Sequence, residues 1–483
     1  MKKKILMGAG IVLVLLVALG IVARQKAIGY LTPDFAVKQI EAHWNCRAHI
    51  ESLDVKLLGT AMVELKGVAL GPRDRFADEA VPLKDRTPMT DTEIACESVL
   101  LEVHPKGLLS KQIDIEQLVL RAPVVDTVVE QSGKASVQKL FESPAKVAPS
   151  GEGDAAISVA GTGEGAEAPA GTTAGGQAPP LPGDETFSAS QLPVSARADR
   201  VRIEDGEMVA TVQASGARVT LSNFQLGLNQ FDVDPANLSI HNRVGFEIES
   251  DLLVQPAAGA AAEVAEYLTA HVSGSGEIHP FNPANGQVDP VWVADVTLHQ
   301  GSKINTFPIV AKLRELLEGL DTAGVDLKDL NLRGELLADA TTRISHERGQ
   351  FTFQQPLRLE LPDTTLVLRE QSWLNTGSNQ HAMRGTVMAS EALTQKVVAK
   401  VDAYLQKKAG GFASAGLRDL VLSPVMRDGR IAIDVVSRGD FSKPQADVVT
   451  PLGNLSDVLD TGKKSLKTLE EAGKSLLKGL FGK

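Results

Sequence analysis

Aromatic residues are scarce in this chain, at 4% of 483 residues with three Trp and three Tyr. Surfaces that hold single-stranded nucleic acid or sugars along their length need exposed aromatic faces, and tracking phosphates needs a basic surface as well. With a formal net charge of -11 the chain offers neither, and nucleic acid is excluded as a partner. Cysteine is nearly absent. Cys46 and Cys96 are too few for a disulfide-stapled fold, although one bridge between them is an option beside two unlinked thiols. His43, Cys46 and His49, with Cys96 as a fourth ligand, invite a metal. A helix is expected to run to about Cys46, and positions six apart on a helix point to different faces, so no metal is assigned. Catalytic signatures are missing too. There is no His-Glu-x-x-His, Gly-x-Ser-x-Gly, P-loop or Cys-x-x-Cys pair, the His are scattered, and Asp232 with Asp234 precedes Pro235 as a turn would. The expectation is a protein that is not an enzyme and takes no cofactor.

Long apolar runs are also rare, which isolates the one at the start. Ile5 to Ala23, with Ile5, Leu13, Leu16 and Val22 along it, covers about 19 residues and roughly 28 Å as a helix, enough to cross a bilayer core. Lys2, Lys3 and Lys4 precede it and place the N-terminus in the cytoplasm. Residues 1–26 therefore read as an uncleaved anchor, with a signal peptide cleaved near Ala18-Leu19-Gly20 as the alternative.

Beyond this run, most of the chain alternates apolar and polar residues, the pattern of strands with one apolar face. In a first module, 27–142, a short helix from Thr32 to about Cys46 precedes strands at Ile50 to Leu57, Ala61 to Leu70, Ile94 to Val103, Ile113 to Leu120 and Val124 to Glu130. The proline-bearing stretch Arg73 to Asp91 reads as a loop. Residues 143–190 are rich in Ala, Gly, Pro and Glu, cannot bury enough surface to offset chain entropy, and are expected to be disordered.

A second module, 191–451, resumes the strands at Val219 to Leu228, Val244 to Val254, His271 to Ile278, Val291 to His299, Leu327 to Leu337, Phe351 to Leu361 and Ile431 to Val436. Gly-centred turns are expected at Ile203 to Met208, Arg348 to Phe351 and Arg427 to Ile431. Two amphipathic helices, Pro308 to Leu320 and Glu391 to Lys408, are expected to cover the sheet. The last segment, 452–483, sets Leu466, Leu469 and Leu477 at helical spacing against Lys463, Lys467 and Lys474. That is the pattern of an interfacial membrane helix, a partner-docking helix or a helix resting on its own sheet.

Several of these motifs resemble the AsmA-like family of bacterial envelope proteins. Ile50 to Leu70 and Ile94 to Phe141, with breaks at Lys106-Gly107-Leu108-Leu109 and Arg121-Ala122-Pro123, are similar to the family's first module. Gln300 to Ile304, Asn331 to Leu336, Met383 to Val387 and Ser437 to Pro444 are similar to its C-terminal module. Ser136 departs from the pattern, standing where the family often has Asn.

The resemblance implies a single-pass inner-membrane protein with the bulk of its chain in the periplasm. Its mainly β fold with helices (α+β) would be a long twisted antiparallel sheet, curled into an apolar groove that shields or transfers phospholipid in support of the outer membrane. Other envelope proteins are implied as partners. The groove candidates are Val99, Leu101 and Val103, chosen over Leu100 and Glu102 because Glu102 marks the wet face, and Leu357, Leu359 and Leu361. The rival reading is a non-catalytic scaffold or assembly factor whose oily face is its own closed core.

Overall fold

The computed structural model describes residues 32–56, 61–73, 81–104, 113–130, 135–142, 196–198, 200–213, 216–234, 236–257, 265–305, 332–375, 378, 380–409, 418–419, 422–423, 425–440 and 444–449. The expected anchor with Ile5, Leu13, Leu16 and Val22, the 143–190 segment, the Pro308 helix and the basic helix with Leu466, Leu469 and Leu477 lie outside the described residues.

The first helix, α1 (Pro33–His43), starts where local chemistry says it should. The Thr32 hydroxyl accepts from the Phe35 N–H at 3.2 Å, Pro33 occupies the first turn, and Asp34 adds an acidic group there. It stops before Cys46, because Trp44 is extended and packs edge-on against Phe141 with ring centroids 4.9 Å apart. Cys46 opens a strand instead.

Strands then dominate. β1 (Cys46–His49), β2 (Ser52–Lys56), β3 (Ala61–Pro72), β4 (Ile94–Val103), β5 (Ile113–Arg121) and β6 (Val124–Val129) form the first group. β7 (Ala196–Ala198), β8 (Val201–Val212), β9 (Arg218–Val233), β10 (Asn242–Gln255), β11 (Leu268–Phe281) and β12 (Val288–Leu298) form the second. The third comprises β13 (Lys303–Ile304), β14 (Gly334–Glu335), β15 (Ala340–Glu347), β16 (Gln350–Phe353), β17 (Leu357–Glu360), β18 (Thr364–Leu368), β19 (Trp373–Asn375) and β20 (Gln380–Ala389). After α2 (Glu391–Ala409) come β21 (Met426–Arg427), β22 (Arg430–Asp440) and β23 (Gln445–Val448).

All 23 strands belong to one sheet. Its order follows the chain almost throughout, and short neighbours such as β1 and β2, β5 and β6, or β18 and β19 share one strand position end to end. About fifteen positions result, roughly 70 Å across at about 4.8 Å each. Neighbours are antiparallel except where β5 and β6 meet β7 and β8, which is parallel and makes the sheet mixed. A parallel pair needs a long connection. Residues 130–195 supply it, so the low-complexity segment falls between two adjacent strands of one sheet.

The apolar residues change parity partway along several strands. In β3 they run Val63, Leu65, then Val68, Leu70; in β8, Val201, Ile203, then Met208, Ala210; in β9, Val219, Leu221, then Leu226, Leu228. A residue with left-handed backbone stands at each change: Gly67 (φ 59), Asp205 (φ 54) and Asn223 (φ 51), with Ala122 (φ 44) between β5 and β6. At Asp205 and Asn223 the pairing slips by one residue, a bulge, while at Gly67 and Ala122 the flanking pairs stay one for one and neighbouring strands change parity together; in both cases the following side chains turn over and the apolar set stays on one face. The pairings carry the line straight across, since Ile203 faces Leu226 on one side of it and Met208 faces Leu221 on the other. Thus the Gly-centred turn expected at Ile203 to Met208 is a bulge inside β8. The other two are hairpin turns, with Arg348 (φ 48) and Gly349 (φ 79), and Asp428 (φ 51) and Gly429 (φ 73).

The cysteine bridge does not form. Cys46 lies opposite Pro72 and Cys96 opposite Val68, on the two strands flanking β3. Those partners are about 13 Å apart along β3 at about 3.3 Å per residue, far beyond disulfide reach. Both thiols are free and buried, and burial pushes Cys46 up to about 12 and Cys96 to about 11. Neither is a reactive thiol.

A left-handed alanine costs about 1 kcal/mol that glycine does not. Ala122→Gly should therefore raise unfolding stability by about that amount and Ala122→Val should lower it, both read from denaturant titration. The opposite order, usual inside a strand, would show that Ala122 does not hold a left-handed backbone.

Candidate functional site: the apolar face of the central strands

Residues directly opposite each other in a ladder share a face, so the pairings define that face from edge to edge. One row runs Val55, Val63, Leu101, Leu118, Val201, Leu228, Phe246, Gly276, Ala294 and Ile344. The next runs Leu53, Leu65, Val99, Leu120, Ile203, Leu226, Ile248, Gly274 and Val296. Beyond the bulge line a third runs Ala48, Leu70, Ile94, Val125, Met208, Leu221, Leu252 and Ala270. No polar side chain interrupts any of them from β2 to β12; in β15 the second row meets Thr342.

The reverse face of β9–β12 is the opposite in character. Gln225, Glu247, Glu249, Asp251, His271, Ser273, Ser275, Glu277 and Asp295 occupy most of it, with Leu253, Val291 and Val293 among them. Asp251 accepts from Asn223 at 2.6 Å and pairs with His271 at 2.9 Å, and these contacts hold its carboxyl below the usual range. Among the described residues no cluster of His, Cys, Asp and Glu is arranged to hold a metal.

Burial varies along the apolar face. At the N-terminal end Val99, Leu101 and Val103 are fully buried, in a core completed by Val37 and Ile40 of α1 and by Val137 and Leu140 of the short helical segment Ser136–Phe141. Ser136 secures that segment, its hydroxyl accepting from the Val128 N–H at 3.1 Å. Towards the C-terminal end Leu357, Leu359 and Leu361 are buried with Leu336, Phe353 and Ile304. α2, capped by Ser390, buries Leu393, Val397 and Val401 and packs on β22. The six residues read as groove lining therefore sit in two separate packed cores, not in one open surface. Their alternation marks the correct face; what covers that face is contributed by residues distant in sequence.

Between those cores the face is different. Val219, Leu221, Leu226, Ile248, Leu252, Val254, Val272 and Val296 are only half-buried, and no described helix packs on β8–β12. Small residues form its floor: a Cβ on Gly276 would overlap the Val293 carbonyl, and one on Gly274 would meet Ile248 at 3.3 Å. Leu238, in the connection between β9 and β10, closes one margin with Val233, Val244, Ile278 and Phe281. Sequence reasoning named Val219, Leu221, Leu226 and Leu228 as an alternating run but did not single them out as a site. The signal was the broken parity, which only the bulge at Asn223 explains.

Comparison of the chain with family models, with curated proteins and with solved structures found no match. No helix among the described residues is long and apolar enough to cross a membrane.

A charge separates the packed ends from the half-buried middle. Leu101→Asp should abolish folding and Leu101→Ala should cost about 2–5 kcal/mol. Ile248→Asp should leave circular dichroism unchanged and cost no more than about 2 kcal/mol. Equal losses for the two aspartate variants would make the central face part of the core.

Proposed function

We propose that the chain is a membrane-anchored periplasmic protein whose central strands curl into a groove that shields or transfers phospholipid, supporting the outer membrane or lipid balance in the envelope. The observation that carries this reading is the half-buried apolar face of β8–β12 backed by a largely polar one. An acyl chain moving through water exposes its CH₂ groups at roughly 0.8 kcal/mol each. A trough lined by Leu226, Ile248, Leu252 and Val254 removes most of that cost without holding the lipid by specific bonds. The AsmA-like motifs and the N-terminal apolar run support the same reading and its inner-membrane location. At roughly 70 Å across, one copy serves to lift lipid from that membrane or pass it to another envelope protein rather than to bridge the envelope.

A second reading has its own support. Complete burial of Val99, Leu101 and Val103 is what a scaffold with a closed core requires, and the terminal parts of the sheet have that character. The two readings differ in the middle.

Residues 25–483, produced in the periplasm without the anchor, should copurify with phospholipid measurable by mass spectrometry of the extracted protein. Leu226→Asp and Ile248→Asp should remove it while circular dichroism is unchanged. A folded wild-type sample free of lipid would favour the scaffold.

A further inference from the structure

Only one of the three tryptophans lies on the polar face. Trp44 packs against Phe141 in the N-terminal core, and Trp292 stacks on His346 of the apolar face with ring centroids 5.4 Å apart. Trp373 faces the other way. It lies opposite Thr352, which lies opposite Ser345, a row continuous with Val293 and Glu277. The residues beside it on this face, Ser345, Gln350, Thr352 and Gln354, are all polar, so the ring is not packed into an apolar core there.

Trp373 forms one wall of a cleft of about 440 Å³, and Gln350, Gln354, Gln371, Glu347 and Arg348 line the rest. That volume lies within the range of small-molecule sites. The amides are held in place: the Gln354 Nε2 donates to Ser345 Oγ at 2.6 Å and the Gln350 Nε2 donates to Thr352 Oγ1 at 3.2 Å. Each keeps an acceptor oxygen and a second N–H. Gln371 has φ 62 and Arg348 φ 48, conformations in which glycine would be cheaper, and both present long polar side chains to the cleft. Glu347 and Arg348 are 3.7 Å apart and cancel each other's charge.

We propose that this cleft binds a neutral saccharide. A pyranose ring has a flat C–H face that packs on an indole and a rim of hydroxyls, each donor and acceptor at once, that suits fixed side-chain amides. An acidic protein and a charge-balanced cleft do not suit phosphate or nucleic acid. The site is on the opposite face from the proposed lipid groove and stands or falls independently of it.

The test uses the full chain in lauryldimethylamine oxide, a detergent without a sugar headgroup, titrated with maltohexaose, cellohexaose and chitohexaose. Saturation-transfer NMR and tryptophan fluorescence report binding. At least one oligosaccharide should bind, Trp373→Ala should weaken it about tenfold or more, and Trp373→Phe should retain part of it. Gln354→Ala and Gln371→Ala, both at exposed positions, should weaken it several-fold without affecting folding. Binding by none of the three oligosaccharides, or undiminished binding by a folded Trp373→Ala or Gln371→Ala protein, overturns the proposal.

Discussion

A ribbon of strands with one apolar face must keep that face on one side across every strand, because a slip of a single residue turns each later side chain outward. Here the constraint is met while the sheet is broken repeatedly. Left-handed residues at Gly67, Ala122, Asp205 and Asn223 stand at the same level of neighbouring strands, those at Asp205 and Asn223 as bulges, and the apolar parity changes with them. The bulges and the sequence pattern are one device. Without the parity change a bulge would expose half of each strand, and without the bulge the parity change would do the same.

That continuity lets one surface differ in burial along its length. Where α1 and the Ser136–Phe141 segment lie over it, and again around Leu359 and under α2, the apolar rows are ordinary core and hold the sheet together. Between them the same rows continue with smaller side chains, Gly274, Gly276, Ala270 and Ala294, and without a described cover. Stability drawn from the two packed ends frees the middle from having to be core. A uniformly open face would leave the ends without support.

Much of this was legible in the sequence. β4 occupies Ile94–Val103 as the alternation indicates, α1 begins at its Thr-Pro-Asp signal, and the turns at Arg348-Gly349 and Asp428-Gly429 form hairpins. The errors share a cause. Gly206 beside Asp205 reads as a hairpin because positive φ serves turns and bulges alike, and local sequence does not distinguish them. Phe351 to Leu361 reads as one strand but is two, broken at Gln354 to Pro356 and paired to different partners. The short β18 and β19 and the ten-residue β20 were missed as strands, since Thr364 to Ala389 interleaves apolar residues with small and polar ones whose role comes from their neighbours. The site was the least legible part. Alternation shows which residues face together, not which of them are later covered.

Trp373 illustrates the limit and how structure moves it. In Trp373-Leu374 both residues are apolar, so period-two reading cannot decide which one faces the core. Pairing decides it: Leu374 lies opposite Phe351, and Phe351 opposite His346, in the row that contains Trp292, which leaves Trp373 on the polar side opposite Thr352. Low aromatic content argues against an extended stacking surface, and that argument holds for the chain as a whole. It does not bear on one ring held by two strands among fixed amides. A composition averages over faces, whereas a binding site needs only a few side chains on the same one.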